Sequence, residues 1–270
     1  MEIRVIINGA LGKMGREIAM AVDSEPGMKI VGATEEEVAQ HYFATPETSE
    51  LVPFSSDLDS LLKKCRPDVV VDFTNAEASM SAARIALKQN VNMVIGTTGL
   101  SEENLAELSE LCRAYEVGAV VAPNFSLGAA LLIQLCKAAA GFFAQAEIVE
   151  MHHDKKIDAP SGTAIATARA MSQAHAKPFI YRKAEKEIIN GTRGGQIDGI
   201  AIHSIRLPGF MACQEVILSG PGETLSLRHE TINRECYMPG VILATKEVVQ
   251  HKGLIYGLDA LLDMKWKDLM

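Results

Sequence analysis

A chain of 270 residues with 48% hydrophobic content carries enough apolar surface for one large core or two modest ones, and it needs no cross-links to fold. With 34 acidic against 26 basic residues the net charge is -8, which excludes general attraction to nucleic acid or to an anionic membrane, so any anionic ligand must be gathered by local positive charge. The five cysteines (Cys65, Cys112, Cys136, Cys213, Cys236) are odd in number and free of any CxxC spacing; neither a disulfide framework nor a zinc site is expected, and a reducing cytoplasm fits best.

The first half alternates between short β-rich runs and helix-patterned stretches. Strands are expected at Ile3 to Asn8, Lys29 to Ala33, Asp68 to Thr74, Asn92 to Gly96 and Ala119 to Ala122. Between them, Lys13 to Ser24, Ala76 to Gln89 and Ser101 to Tyr115 have helical length, the last opened by Ser101 followed by Glu102 and Glu103. Glu2 runs straight into a strand-like segment with no basic and apolar leader, so no export signal is expected. The stretch Val117 to Cys136 has no charge over twenty residues, but Pro123, Asn124, Ser126 and Gln134 interrupt it, and it reads as a buried strand, a loop and a helix. The alternation predicts an α/β fold: a Rossmann-like parallel sheet with helices on both faces.

After Ser126 the pattern changes. A helix over Leu127 to Phe143 leads into a strand, Glu147 to His152, followed by extended segments at Gly199 to Ile205, Glu215 to Ser219 and Thr224 to Glu230. Turn signals separate them, at Pro208-Gly209 and Gly220 to Gly222, as a mixed or antiparallel sheet requires. Helices around Val241 to Gln250 and Asp259 to Met264 are expected to return to the first domain. The division is therefore 1–126 with 234–270 for a dinucleotide-binding domain and 127–233 for a second, α+β domain, with hinge motion expected near Ser126 and Arg234.

Gly9, Gly12 and Gly15 stand in GALGKMG, between the first strand and the first helix, where glycines permit a tight turn and close approach of a pyrophosphate to the helix N-terminus. Leu11 occupies the place of the second glycine of GxGxxG, so the spacing alone is equally well explained by a structural turn. Twenty-six residues after Gly9, at the end of the second strand, Glu35 is placed to accept hydrogen bonds from ribose hydroxyls. The order of strand, glycine turn, helix, strand and acid favours a nucleotide. Cofactor contacts are expected from Gly9, Ala10, Leu11, Gly12, Lys13, Met14 and Glu35. The later strand ends contribute Phe73, then Gly96, Thr97 and Thr98, then Pro123, Asn124, Phe125 and Ser126. No lysine or arginine lies between Glu35 and Leu62, where a 2'-phosphate would need one, and Glu36 and Glu37 follow Glu35 instead. NADH is the expected cofactor, with NADPH tolerated.

The densest chemistry lies in EMHHDKKIDAPSGTA, Glu150 to Ala164. His152, His153, Lys155 and Lys156 put four potential proton donors within five positions of an acidic protein. Neighbouring strand residues face opposite sides, so one of the two histidines is expected to face the reacting atoms. Pro160, Ser161, Gly162 and Thr163 then open a helix whose free N–H groups suit a carboxylate. Each element has an ordinary counterpart in surface histidines, solvated lysines and capped helices; their combination within fifteen residues is the signal. A metal site built from His152, His153, Asp154 and Asp158 is disfavoured, because adjacent histidines diverge and the flanking lysines repel a cation.

With GALGKMG, Val94 to Gly99, Pro123 to Ser126 and HHDKKIDAPSGTA on view, the chain resembles the dihydrodipicolinate reductases over nearly its whole length. Gly191 to Gly194, GIAIHSIRLPG at Gly199 to Gly209, Arg234 and Met238 to Val241 agree. The resemblance implies reduction by NADH or NADPH of a small cyclic dicarboxylate in lysine and diaminopimelate synthesis. By position, His152 would be the proton donor or acceptor and Lys156 the proton donor, while His153, Gly162 and Thr163, with Ser161 beside them, would bind substrate. It also implies a homotetramer built on the second domain. Two departures stand out: Cys213 where similar sequences carry histidine, to which no catalytic role is given, and Glu36 where users of NADPH tend to be basic. The rival readings are another two-domain dehydrogenase, which leaves the dicarboxylate-suited segment unexplained, and a non-catalytic NAD-binding regulatory protein, against which His152 and Lys156 together speak.

Overall fold

The computed structural model describes residues 2–262. The chain divides into two compact units, Met1–Leu127 with Arg234–Met270, and Gly128–Asn233. The first begins β1 (Ile3–Asn8), α1 (Lys13–Ser24), β2 (Met28–Thr34), β3 (Tyr42–Ala44), β4 (Leu51–Ser55), α2 (Leu58–Cys65), β5 (Val69–Asp72), α3 (Ala76–Lys88), β6 (Asn92–Ile95), α4 (Glu102–Tyr115) and β7 (Gly118–Val121). The second unit is formed by α5 (Leu127–Ala140), β8 (Gln145–His152), α6 (Gly162–Ala174), β9 (Gly195–Ile197), β10 (Ile200–Arg206), β11 (Ala212–Gly220) and β12 (Glu223–Thr231). A 3-10 turn at Arg234–Tyr237, α7 (Met238–Val248) and β13 (Gly253–Tyr256) then rejoin the first.

The first unit holds an eight-stranded sheet in the order β13-β7-β6-β5-β1-β2-β4-β3. All its pairs are parallel except β3 with β4, which close one edge antiparallel. Every residue of β5 and β7 is buried, as strands covered on both faces must be. One layer of core joins Ile6, Val70, Met93 and Ile95 to Leu58, Leu61 and Leu62 of α2, Met80, Ala83 and Leu87 of α3, and Leu108 and Cys112 of α4. These helices are capped by side chains: Asp57 accepts from Ser60 N, Asn75 from Ala78 N, and Ser101 forms a reciprocal box with Asn104. Helix α1 has no such cap.

The second unit is a five-stranded mixed sheet, β12-β11-β8-β10-β9, in which only β8 and β10 run parallel. Its helices lie on one face. Ala146 and Ile148 of β8, Ile202 of β10 and Val216 and Leu218 of β11 pack there against Leu132 and Cys136 of α5 and Ala164, Ala168 and Met171 of α6. Strand alternation places Glu150 and His152 on the same, helix-covered face as Ile148, and Glu147, Val149 and Met151 on the other.

The sheet is thus mostly parallel rather than wholly so, and several short elements add to those expected from the sequence. β3, β4 and α2 fill the stretch between Thr34 and Asp68, and β9 and β13 are strands of three and four residues. Helix α5 ends at Ala140, short of Phe143, with a turn at Gly141. β5 ends at Asp72 because the Asp72 side chain there accepts from the N–H of Thr74 and breaks the extended run. Residues 258–262 are helical, and the expected helix end at Met264 lies outside the described residues. No helix of the described residues is long and apolar enough to cross a membrane.

Candidate active site

At the opening of α1 the glycine turn is held by its own backbone. Gly9 and Ala10 donate N–H bonds to Thr34 O at 3.0 and 3.1 Å, and Gly12 N donates to Gly9 O at 3.1 Å. Gly9 has φ +78°, a left-handed conformation that only glycine adopts freely. A Cβ on Gly15 would sit 2.0 Å from Gly9 O, so the helix can approach the turn this closely only without a side chain there. With no side-chain cap, the N–H groups of Lys13, Met14 and Gly15 have no protein acceptor among the described residues. An uncapped, positively polarised helix start beside exposed Leu11, Gly12 and Lys13 fits a pyrophosphate. Glu35 follows β2 and reaches back to this turn, its Oε2 accepting from Leu11 N at 3.0 Å. Its carboxylate therefore lies beside the glycine turn.

Along the same edge, Asp72 at the end of β5 is fully buried and accepts from Thr74 N and Thr74 Oγ1 (3.1 and 2.9 Å), from Ser79 Oγ, from Thr97 Oγ1 (3.2 Å) and from Asn8 Nδ2. Thr34 Oγ1 donates to Asn8 Oδ1. One carboxylate thus ties together the ends of β1, β2, β5 and β6 beneath the glycine turn. Gly96 lies against the Phe73 ring, where a Cβ would come within 2.0 Å, and Phe73 stacks obliquely on buried Phe125 at 5.2 Å between centroids. Asn124 Oδ1 accepts from Ser126 N at 2.9 Å. Thr97, Thr98 and Pro123 share a small cavity with Tyr256 of β13. The cofactor residues expected from the sequence therefore fall on two stretches of one sheet edge: the turn with Glu35, and the ends of β5, β6 and β7.

In the second unit, β8 ends at His152 and a loop carries the chain to Ser161, the N-cap of α6, whose Oγ accepts from Ala164 N at 3.2 Å. The N–H groups of Gly162 and Thr163 have no acceptor among the described residues. His152 is partly covered, with 16% of its side chain exposed, whereas His153 is exposed. Lys156 Nζ donates to Asp158 Oδ1 at 2.8 Å, and the ammonium beside it holds the Asp158 carboxyl below its ordinary range.

Beneath these groups lies Glu150, whose side chain is wholly buried. His152 Nδ1 is 2.6 Å from its Oε2. Arg206 of β10 grips it bidentately, Nη1 to Oε2 at 2.9 Å and Nη2 to Oε1 at 2.8 Å, and Ser161 N donates to Oε1 at 3.2 Å. Arg206 Nη2 also donates to Asp158 O at 2.7 Å. Burial alone would raise the Glu150 carboxyl, but hydrogen bonds from His152, Arg206 and Ser204 outweigh it and push it down to about 2. His152, the Lys156–Asp158 pair and the start of α6 are in this way fastened to one anionic side chain. Among the described residues no cluster of three or more histidine, cysteine or acidic side chains is placed to hold a metal.

A family model described as dihydrodipicolinate reductase, N-terminus, matches residues 3–125, and its C-terminal counterpart matches 128–262. The chain belongs to the dihydrodipicolinate reductase family. A 4-hydroxy-tetrahydrodipicolinate reductase of Dehalococcoides mccartyi is 48% identical over 262 residues, covering 97% of this chain and 99% of the relative. That of Moorella thermoacetica is 46% identical over 265 residues, covering 97% and 98%. Among solved structures, a dipicolinate-bound dihydrodipicolinate reductase from Paenisporosarcina sp. TG-14 superposes with a TM-score of 0.86 at 38% identity, covering 96% of this chain and 99% of that one. As a member of the dihydrodipicolinate reductases the chain is an NAD(P)H-dependent oxidoreductase, and its cofactor is a nicotinamide dinucleotide.

Sequence reasoning passed over Glu150, Arg206, Asp72 and Tyr256. Glu150 had a legible signal, since a carboxylate two residues before a histidine on a strand shares its face. Arg206 and Asp72 had none, because their partners lie up to 56 and 64 residues away.

Proposed function

We propose that His152 and Lys156 move the protons in the NADH-preferring reduction of 4-hydroxy-tetrahydrodipicolinate, by way of dihydrodipicolinate, to tetrahydrodipicolinate. The reaction belongs to lysine and diaminopimelate biosynthesis. When bound, the nicotinamide supplies two electrons and one hydrogen as hydride; the protein supplies the proton and meets the charge that builds on the ring. Lys156 is the donor: its side chain is 21% exposed and its ammonium pairs with the carboxylate of Asp158, which is itself open to water. His152 exchanges a proton with the substrate from the ring edge facing away from Glu150. His153, Ser161, Gly162 and Thr163 bind the substrate carboxylates, the last two through the unpaired N–H groups at the start of α6. The observation that carries the reading is the shared anchorage of His152, the α6 N-terminus and the Lys156 loop on Glu150 and Arg206.

On this reading 1–126 with 234–270 binds the dinucleotide through Gly9 to Met14, Glu35, Phe73, Gly96 to Thr98 and Pro123 to Ser126, while 127–233 binds substrate and forms a homotetramer in the cytoplasm. The preference for NADH is supported by Glu35 at the glycine turn and by the lack of any lysine or arginine from Glu35 to Leu62. The test is the rate of NADH oxidation, followed by absorbance, with freshly generated substrate, repeated with NADPH. Rapid oxidation with a higher kcat/KM for NADH is expected. No oxidation with either cofactor despite measurable NADH binding removes the reaction, and equal or better efficiency with NADPH removes the preference.

A further inference from the structure

The carboxylate under His152 is wholly buried and paired with arginine, so it meets the site only through the groups bonded to it. From its contacts we infer that Glu150 is a positioning residue: it holds His152 in the tautomer that carries the proton on Nδ1, leaving Nε2 as the atom that exchanges a proton with substrate. The inference rests on the reading of His152 given above and adds the group through which that histidine is set.

Arg206 Nη1 and Nη2 and the Ser161 N–H are obligate donors, and all three point at the Glu150 oxygens. An ionised carboxylate accepts all of them and retains a lone pair on Oε2 for His152 Nδ1, 2.6 Å away. A neutral imidazole in that position must present Nδ1–H, because a bare Nδ1 would face a carboxylate oxygen with no proton between them. Arg206 has a second part in this. By gripping both oxygens it keeps Glu150 ionised, so the carboxylate orients the ring and does not itself take the proton. Arg206 Nη2 also holds the carbonyl of Asp158, so the device that sets His152 also fixes the base of the Lys156 loop.

Glu150→Gln separates orientation from packing, since it keeps shape and volume. Its amide must turn NH2 toward one pair of donors. Facing Arg206 Nη2 and Ser161 N it would oppose two groups that cannot accept; facing Oε2's partners it opposes only one, Arg206 Nη1, and meets His152, which can accept by moving its proton to Nε2. The variant is therefore expected to carry His152 in the opposite tautomer, with kcat lowered by about 10²- to 10⁴-fold and NADH affinity unchanged.

The decisive readout is the nitrogen NMR spectrum of isotope-labelled histidine in the full chain, at a pH where the ring is neutral, with His152→Gln identifying the resonance among the seven histidines. A proton on Nδ1 in the native protein and on Nε2 in Glu150→Gln supports the inference. A native His152 protonated on Nε2 overturns it, and this measurement needs no Glu150 variant to fold. In turnover, His152→Gln and Glu150→Gln are each expected to lower kcat, with the double variant no worse than His152→Gln. Full activity in Glu150→Gln alongside a crippled His152→Gln overturns the positioning role alone; full activity in His152→Gln overturns the reading of His152 beneath it.

Discussion

Gly15→Ala sets helix propensity against tertiary packing, and the two predict opposite signs. Gly15 lies within the first turns of α1, where alanine is favoured over glycine by about 1 kcal/mol. The added Cβ, however, would stand 2.0 Å from Gly9 O and 2.9 Å from Ala10 Cα, whereas ordinary contacts begin near 3.4 Å. The obstruction is backbone, and Gly9 O already accepts from Gly12 N, so relief requires parting the helix from the turn by more than an ångström. Overpacking of this kind costs about 1–3 kcal/mol, and losing the Gly9–Gly12 bond adds about 1. The net is a destabilisation of about 1–3 kcal/mol, or a fall of several degrees in Tm. The same displacement shifts the N–H groups of Lys13, Met14 and Gly15, and NADH affinity should fall by about tenfold or more. Thermal melts and NADH fluorescence titration measure both. A variant with Tm raised and NADH affinity unchanged would refute the close-packed cradle.

Lys156→Ala should lower kcat by about 10²- to 10⁴-fold while leaving NADH affinity in place, as a steady-state assay and a titration together would reveal; unchanged turnover removes the donor role. Glu35→Gln should weaken NADH binding by about tenfold, the scale of one hydrogen bond to a charged acceptor, and should narrow the gap between NADH and NADPH; an unaltered cofactor ratio argues against ribose recognition by Glu35. Glu150 makes stability depend on pH. Its folded value of about 2 lies below the ordinary 4.5, so its contribution is full above pH 4.5 and is lost as pH falls through 2. The loss is on the order of 3 kcal/mol. Urea unfolding of the native chain should therefore weaken steeply across that window, and Glu150→Gln should flatten the slope there.

Much of the fold was legible because local pattern and tertiary role agree. β1, α1, β2, α3, β6, α4 and β7 each join a strong apolar period to a cap or turn, and their expected bounds lie within two residues of those observed. β13 was not legible: Gly253 to Tyr256 is four residues long, has no alternation of its own, and is a strand because β7 offers it a parallel edge. β3 and β4 are similar, and Pro53 within β4 speaks against a strand until its place near the sheet edge is known. The candidate site divides in the same way. GALGKMG and HHDKKIDAPSGTA are contiguous, so strand, turn, helix start and reactive side chains could be read from spacing along one stretch of chain. Local pattern along the chain was therefore enough for the fold class and the family, and it singled out the groups proposed to do the chemistry. Tertiary structure decided what holds those groups: Asp72 tying four strand ends, and Arg206 meeting Glu150 from a strand 56 residues on. Such pairs have no signature in spacing, because the partners become neighbours only when the sheet brings them together and burial makes an unpaired charge too costly to keep.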